Sequence, residues 1–307
     1  MKKLSLLAAA ALVAATLATP ASAQSSTGSY GSYDSGSGSC ASGSPTSSNF
    51  DRARSLQVVG LTGDNNNLLV CFNEFSPQEA RSIGFVSNLS GGDTRLIGID
   101  FRVQNGLLYG VGDKGGVYVI DTSNAVATFI NCLTVALDGS ASYGVDFNPA
   151  ADRLRITSSQ GQNLRHNVNA GGVTVVDGTL NYTPGIPALG IAGSAYTNND
   201  LNADTATTLY ALDSTLNQIA LQSPPNAGTL AATGKLTVDA TDVAGFDIYS
   251  KIRDGVTVEV QALASIKAAD GSMHLYSVRL PTGKAISRGS FGAHLMVTDI
   301  AIPLNQL

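Results

Sequence analysis

The residues best suited to bind a charged ligand are three arginines within one short segment. Arg153 and Arg155 belong to the run Asp-Arg-Leu-Arg, and Arg165 follows ten residues later in Asn-Leu-Arg-His. Alternating apolar residues predict two antiparallel strands joined by a turn near Gln160, with Arg155 opposite Arg165 and Arg153 opposite Asn167. Like charges that face each other in a sheet destabilise it unless they are neutralised.

Two sources of the neutralising charge are compatible with the sequence. Asp146 and Asp152 could pair with the arginines inside the protein. Alternatively, the guanidinium groups could bind an anionic small molecule or a glycan, since their planar forks fit carboxylate and sulfate groups. On the second interpretation the candidate binding residues are these arginines and the nearby amides, namely Arg153, Arg155, Arg165, Asn163, Asn167, Asn198, Asn199 and Asn226.

A second candidate site consists of aspartates that recur in a repeated phrase. Asp100, Asp146 and Asp247 each stand two residues after a glycine, and Asp299 has the same place in the last copy of the phrase. In a ring of repeats, these carboxylates would lie at similar heights around one axis and could hold a hard cation such as calcium. The alternative is that each carboxylate accepts backbone N–H groups and links neighbouring repeats.

Other catalytic patterns are weakly represented. Asp200 opens a D-x-N-x-D phrase typical of calcium loops, but Thr205 replaces the required glycine and Ala211 the final glutamate. The sequence has no G-x-S-x-G phrase for a serine hydrolase. Three cysteines and three histidines are too few for an ordinary Cys/His zinc cluster. Cys71 and Cys132 fall in neighbouring repeats, where a disulfide between them is one interpretation.

A repeated unit of short strands must position all of these residues. The clearest copy runs from Ile97 to Asp121, and a period of roughly 40 to 50 residues is typical of propeller blades. The first repeat, which opens at Leu56, lacks its innermost strand, and residues 296–302 provide a spare strand at the end of the chain. The sequence therefore predicts an all-β fold, a β-propeller of about five four-stranded blades whose first blade is closed by the C-terminal strand. The alternatives are a six-blade propeller and a two-sheet sandwich. The four complete repeats are expected at about 95–138, 142–180, 192–238 and 243–291.

Several runs within these repeats together resemble one protein family. They are residues 96–101, 143–149, 152–155, 161–165, 195–199 and 224–226. In combination they are similar to the bacterial domain of unknown function 4394 (DUF4394) over about residues 56–302. The resemblance implies an exported bacterial protein. Because the family has no established activity, it supplies no catalytic residues.

The N-terminal segment predicts export. Lys2 and Lys3 precede an apolar run that ends near Ala18, and Ala-Ser-Ala follows at residues 21–23, which is typical of a cleaved signal peptide. Residues 24–49 are rich in serine and glycine and predict a flexible linker, so residues 50–307 would form the propeller. An extracellular or periplasmic location is expected, with no transmembrane segment in the mature chain.

Charge and motif content narrow the function to two main hypotheses. The sequence has 18 basic residues, and loss of the two signal-peptide lysines leaves 16 against 23 acidic residues, a net charge of −7. Because the chain also has no block of basic residues, nucleic acid is not expected as a partner. The preferred hypothesis is a ligand-binding or structural module of the cell envelope or exterior. The alternative is a metal-dependent propeller hydrolase or lactonase that uses an axial cation. Adhesion through the serine-rich linker is a third hypothesis.

Overall fold

The computed structural model describes residues 55–63 and 67–307, and the predicted signal peptide and linker lie outside them. Five antiparallel four-stranded sheets are arranged as a five-blade β-propeller, which confirms the predicted fold. The helical content of the described part is a single 3-10 turn at Pro225–Ala227. In residues 55–63 and 67–307, no helix has the length and hydropathy of a membrane span.

The strands follow the chain blade by blade, apart from the last one. The first blade contains β1 (Gln57–Thr62), β2 (Leu68–Asn73), β3 (Ser76–Phe85) and, as its innermost strand, β22 (Val297–Ala301). The second contains β4 (Leu96–Phe101), β5 (Leu108–Gly112), β6 (Gly116–Ile120) and β7 (Ala127–Cys132). The third contains β8 (Tyr143–Asn148), β9 (Arg153–Ser158), β10 (Asn163–His166) and β11 (Thr174–Val176).

The last two blades are separated from the third by a small additional hairpin. This hairpin consists of β12 (Asn181–Thr183) and β13 (Ile186–Pro187). The fourth blade contains β14 (Ile191–Tyr196), β15 (Leu209–Asp213), β16 (Gln218–Gln222) and β17 (Leu230–Lys235). The fifth contains β18 (Ala244–Arg253), β19 (Val256–Lys267), β20 (Met273–Val278) and β21 (Ala285–Ser290).

The C-terminal strand closes the ring, as the sequence predicts. Strand β22 pairs antiparallel with β1, with Val59 opposite Ala301 and Leu61 opposite Asp299. The innermost strands contact one another in the order β22, β4, β8, β14 and β18, and β18 contacts β22 in turn. The two ends of the folded chain therefore share one sheet, which removes the unpaired edges that an open array would leave.

Glycines in the innermost strands allow neighbouring blades to approach closely at the axis. A Cβ added to Gly98 would lie 2.4 Å from Cγ2 of Val145 in the next blade. A Cβ on Gly144 would lie 2.4 Å from the backbone nitrogen of Ser194, again in the next blade. The repeated glycine thus marks positions where a side chain would separate the blades.

The apolar core lies between adjacent blades. One cluster packs Leu212 of the fourth blade against Phe246 and Ile248 of the fifth. Another joins the fifth blade to the first, where the rings of Phe72 and Phe291 meet edge-on with centroids 4.9 Å apart. Burial of one such side chain contributes about 1.5–3 kcal/mol, so each blade is stabilised mainly by its two neighbours.

The cysteines do not form the disulfide considered above. Cys71 is disulfide-bonded and Cys132 has a free, exposed thiol, so the Cys71–Cys132 bridge is wrong. The geometry explains this result, because Cys71 is buried in β2 whereas Cys132 ends β7, the outermost strand of the next blade.

Candidate functional site

Arg155 lies in a buried polar network between the third and fourth blades. Its Nη1 donates to Oδ2 of Asp177 at 2.6 Å and to Oδ1 of Asn163 at 2.7 Å. Its Nη2 donates to Oδ1 of Asn226 at 2.8 Å, and its Nε donates to the hydroxyl of Tyr196 at 3.2 Å. The guanidinium is therefore bonded on every side to groups of the protein itself.

The predicted register of the two arginines is confirmed, but the predicted counter-charges are wrong. Arg155 faces Arg165 across β9 and β10. Asp177 neutralises both, since its Oδ2 also accepts from Nε of Arg165 at 2.7 Å. Asp146 lies on the innermost strand, whereas the long side chain of Arg155 reaches across the blade to Asp177, which follows the outermost strand β11. Asp152 pairs with a different arginine.

That arginine is Arg102, which sequence analysis did not single out. Arg102 directly follows β4, and its Nε and Nη2 donate to the two oxygens of Asp152 at 2.7 and 2.5 Å. Nη2 also donates to Oδ1 of Asn169 at 2.9 Å. These bonds raise the pKa of Arg102 and lower the pKa of Asp152, and they connect the second blade to the third.

The structure does not bring the remaining predicted binding residues into the Arg155 network. Nη1 of Arg153 donates to the backbone oxygen of Asp152 at 2.8 Å, and Asn167 lies in the turn after β10. Asn198 and Asn199 follow β14 in the fourth blade. Asn199 bonds to the fifth blade, and its Oδ1 is buried without a hydrogen-bond partner.

Three of the four repeated aspartates meet at the axis of the ring. Asp100, Asp146 and Asp247 each place one carboxylate oxygen within 4.8 Å of the other two. Asp299 is also buried on an innermost strand but is not a member of this group. The three carboxylates have the composition of a site for a hard cation.

The same carboxylates bond neighbouring blades together. Each of the four accepts a backbone N–H from the next innermost strand or from the residue directly after it, at distances between 2.6 and 3.1 Å. Asp100 accepts from Phe147, Asp146 from Tyr196, Asp247 from Ile302, and Asp299 from Ile99. In the fourth blade Ala195 has the equivalent place, so that blade contributes no such bond.

Burial changes the protonation of the axial carboxyl groups. Removal from water raises the pKa of Asp247 to about 6. It also raises the pKa of Asp100, Asp146 and Asp299 well above their ordinary value, and neighbouring carboxylates raise these pKa values further. A buried group of this kind is neutralised either by a proton or by a bound cation.

A cleft of about 670 Å³ lies between the fourth and fifth blades. The fourth blade contributes Asn198 and Tyr210 to its lining. The fifth contributes Glu259 of β19, Arg279 of the β20–β21 turn and Arg288 of β21. Asn198 is thus the predicted binding residue that lies in a cavity of ligand size.

Arg288 is incompletely paired at the wall of this cleft. Its Nε is buried and has no hydrogen-bond partner, and its Nη2 is 3.5 Å from Oε2 of Glu74. Glu74, buried in the first blade, also accepts from Gln261 and from the backbone of Leu56. The guanidinium lies over the ring of Phe75, 4.3 Å from its centroid. The guanidinium therefore lies where the fifth blade meets the first, and its Nε is a buried donor without an acceptor among the described residues.

Comparisons with known proteins agree with the resemblance found in the sequence. The model of the family described as "Domain of unknown function (DUF4394)" matches residues 68–301. No curated protein matches the sequence.

Solved structures show only distant similarity. An auxiliary nutrient binding protein from Bacteroides ovatus ATCC 8483 is 14% identical, with a TM-score of 0.37, over 57% of this chain and 46% of that chain. A protein of unknown function from Bacteroides thetaiotaomicron VPI-5482 is 13% identical, with a TM-score of 0.44, over 76% and 56%. A protein from Bacteroides uniformis ATCC 8492, provisionally assigned as a 6-phosphogluconolactonase, is 13% identical, with a TM-score of 0.37, over 77% and 82%. The chain thus covers about half of the first two proteins.

Proposed function

This chain belongs to the DUF4394 family, and from its own geometry we propose that it is an exported ligand-binding β-propeller. Its ligand carries an anionic group and binds in the cleft between the fourth and fifth blades. The observation that supports this proposal is a cleft of about 670 Å³ whose lining includes two arginines, Arg279 and Arg288. Cavities of this size are typical of ligand sites in proteins.

The lining of the cleft suits a ligand that has both an acidic group and polar groups. Arg279 and Arg288 provide guanidinium donors, which bind carboxylate or sulfate groups in a fork geometry. Asn198 and Glu259 provide hydrogen-bonding groups, and Tyr210 and Leu280 provide apolar surface. An acidic sugar has this combination of groups, and so does a carboxylate-bearing peptide.

The arginines of the third blade have a structural role in this proposal. The protein already satisfies Arg155 on every side, and Asp177 already neutralises Arg165. A ligand at Arg155 would have to displace these bonds from a fully buried group, which is unfavourable. Among the candidate binding residues, Asn198 is therefore assigned to the ligand, whereas Arg155, Asn163 and Asn226 stabilise the contact between two blades.

A thermal-shift assay tests the proposed anion site. Galacturonate should raise the melting temperature of the wild-type protein, and galactose, which lacks the carboxylate, should raise it less. A ligand at 100 times its Kd adds about 2.7 kcal/mol of stability, which such an assay detects. Arg279→Gln should remove the difference between the two sugars, and Arg165→Gln, the matched control in the third blade, should keep it. The proposal fails if galacturonate, succinate and sulfate all leave the melting temperature unchanged.

The close approach of three axial carboxylates favours a second candidate, a cation-dependent hydrolase or lactonase. Calcium bound by Asp100, Asp146 and Asp247 would neutralise the negative charge of these three carboxylates when they are ionised. A cavity of about 130 Å³ near Arg95 and Thr298, where the innermost strands begin, is small for a substrate. Chelation of calcium should lower the melting temperature on this hypothesis, and calcium should restore it.

A further inference from the structure

The cleft contains a strand edge that has no partner. Strand β19 pairs with β18 from Val256 to Ile266, but β20 pairs with β19 only from Ala262 to Lys267. Residues 256–261 of β19 therefore lack a strand neighbour on the side away from β18. The backbone N–H of Thr257 in this segment is bonded to Asp200, so the free edge consists of residues 258–261, about 13 Å of extended chain. Glu259, Val260 and Gln261 of this segment line the cleft.

The backbone groups of Val260 point to the open side. The backbone N–H of Lys267 donates to the backbone oxygen of Val243, the residue directly before β18. This N–H therefore lies on the β18 side of the strand. Backbone groups alternate between the two sides of an antiparallel strand, and the ladder between β18 and β19 is regular from Lys267 to Glu259. An even-numbered residue such as Val260 therefore directs its N–H and C=O away from β18 and into the cleft.

The edge also presents alternate apolar side chains and is held in position. Val256, Val258 and Val260 are 38%, 52% and 38% exposed, so these apolar side chains are accessible to a partner chain; Val258 is the extra residue of a β-bulge opposite Lys251 and Ile252. The loop after β14 fixes the tip of the hairpin, because Oδ2 of Asp200 accepts from the backbone N–H and the hydroxyl of Thr257 at 2.9 and 2.7 Å. An ordered edge reduces the entropic penalty of strand addition.

We propose that the ligand of the cleft is an extended peptide that adds a strand to the free edge of β19 and places a carboxylate at Arg279 and Arg288. This inference rests on the proposed function, since it identifies the chemistry of the ligand at the same site. Strand addition uses main-chain hydrogen bonds for affinity and alternate side chains for specificity. Arg279 and Arg288 line the same cleft and favour an acidic residue, because guanidinium groups bind carboxylates.

The surroundings of the edge favour a single chain over a second copy of the protein. Pro281 and Thr282 of the β20–β21 turn stand on one side of the cleft, and Thr208 and Tyr210 of the fourth blade stand on another. A single extended chain needs room for one strand, whereas a second propeller would have to bring a whole hairpin between these walls. Light scattering of the wild-type protein would detect a dimer formed through this edge.

The experiment uses a phage library of random ten-residue peptides, selected on the wild-type protein and counter-selected on Val260→Pro. Proline removes the N–H at the open edge but leaves the β18 side of the ladder in place. Val260→Thr is the matched control, because it keeps the N–H and the β-branched shape. Synthetic versions of the enriched peptides are then titrated against each variant by fluorescence anisotropy, with far-ultraviolet circular dichroism as a check of folding.

Enriched peptides should contain an acidic residue and should bind the wild-type protein and Val260→Thr equally. Val260→Pro and Arg279→Gln should each weaken binding at least tenfold. The proposal is overturned if no peptide is enriched, if enriched peptides bind Val260→Pro as tightly as wild type, or if light scattering shows a dimer that Val260→Pro dissociates. If galacturonate shifts the melting temperature while no peptide is enriched, the anion site stands and the peptide assignment alone fails.

Discussion

Replacement of Asp247 by asparagine should change the pH dependence of stability in a defined direction. Asp247 is fully buried at the axis, where Oδ1 accepts from the backbone of Ile248 at 2.5 Å and Oδ2 from that of Ile302 at 2.6 Å. Burial raises its pKa from 3.8 to about 6. Asparagine has a similar shape but cannot ionise, and it has only one acceptor oxygen for the two N–H groups.

The expected magnitude follows from this pKa shift. A rise of about two pKa units corresponds to about 3 kcal/mol. The folded state retains the proton up to about pH 6, whereas the unfolded chain releases it near pH 4. The contribution of Asp247 to the free energy of unfolding is therefore fully present below pH 4 and is lost as the pH rises through 6. The variant should be less stable than wild type at pH 4 by about 1–3 kcal/mol, because one backbone N–H loses its acceptor. The difference in stability between the two proteins should shrink or reverse by pH 7, because the wild-type protein has then lost the contribution of protonated Asp247.

Urea denaturation at half-unit intervals from pH 4 to pH 7.5 measures both profiles. Their difference reports the titration of Asp247 together with that of Asp100, Asp146 and Asp299, whose pKa values Asp247 raises. Other groups such as His166, whose burial lowers its pKa to about 4, contribute equally to both proteins. The series should be run in chelator and again in excess calcium. If calcium occupies the axis, the wild-type protein gains stability as the pH rises in calcium, because the metal favours ionised carboxylates. A difference profile that stays flat in chelator would refute the reasoning from burial.

Two further predictions concern other contacts in the ring. Asp177→Asn should destabilise the protein by about 3–5 kcal/mol in urea denaturation, because it leaves buried Arg155 without its counter-charge. Arg165→Gln, at a side chain 32% exposed, should change stability by less than about 1 kcal/mol, and equal effects of the two would contradict this role of Asp177. Removal of residues 296–307 should abolish cooperative thermal unfolding, because it exposes the edge of β1 and removes several buried side chains worth about 1.5–3 kcal/mol each. A truncated protein that stays monomeric and melts cooperatively would disprove ring closure as the basis of stability.

The fold was predictable because each repeat carries a local pattern that its strands must satisfy. The glycine two residues before Asp100, Asp146 and Asp247 is needed where blades approach within a side-chain width, as at Gly98 and Gly144. The register of Arg155 with Arg165 also follows from local spacing, since a short turn fixes which residues face each other. The calcium site stays a prediction, although three of the four repeated aspartates do meet at the axis.

The partners of long side chains were not predictable in the same way. Asp177 neutralises two arginines because it follows the outermost strand of their own blade, a placement that depends on how the blade curves. Arg288 and Glu74 are more than 200 residues apart in the sequence and come together where the fifth blade meets the first. No local pattern relates such residues.

The sequence by itself determined the propeller architecture of about five blades, the closing C-terminal strand and the recurrence of the aspartate on the innermost strands. These features follow from a repeat whose period and hydrophobic alternation can be read along the chain. Only the tertiary structure decided which charges pair, which arginine retains an unused N–H, and where a strand edge stays open. Those outcomes depend on how far side chains reach across blades and on the unequal lengths of β19 and β20 in three dimensions.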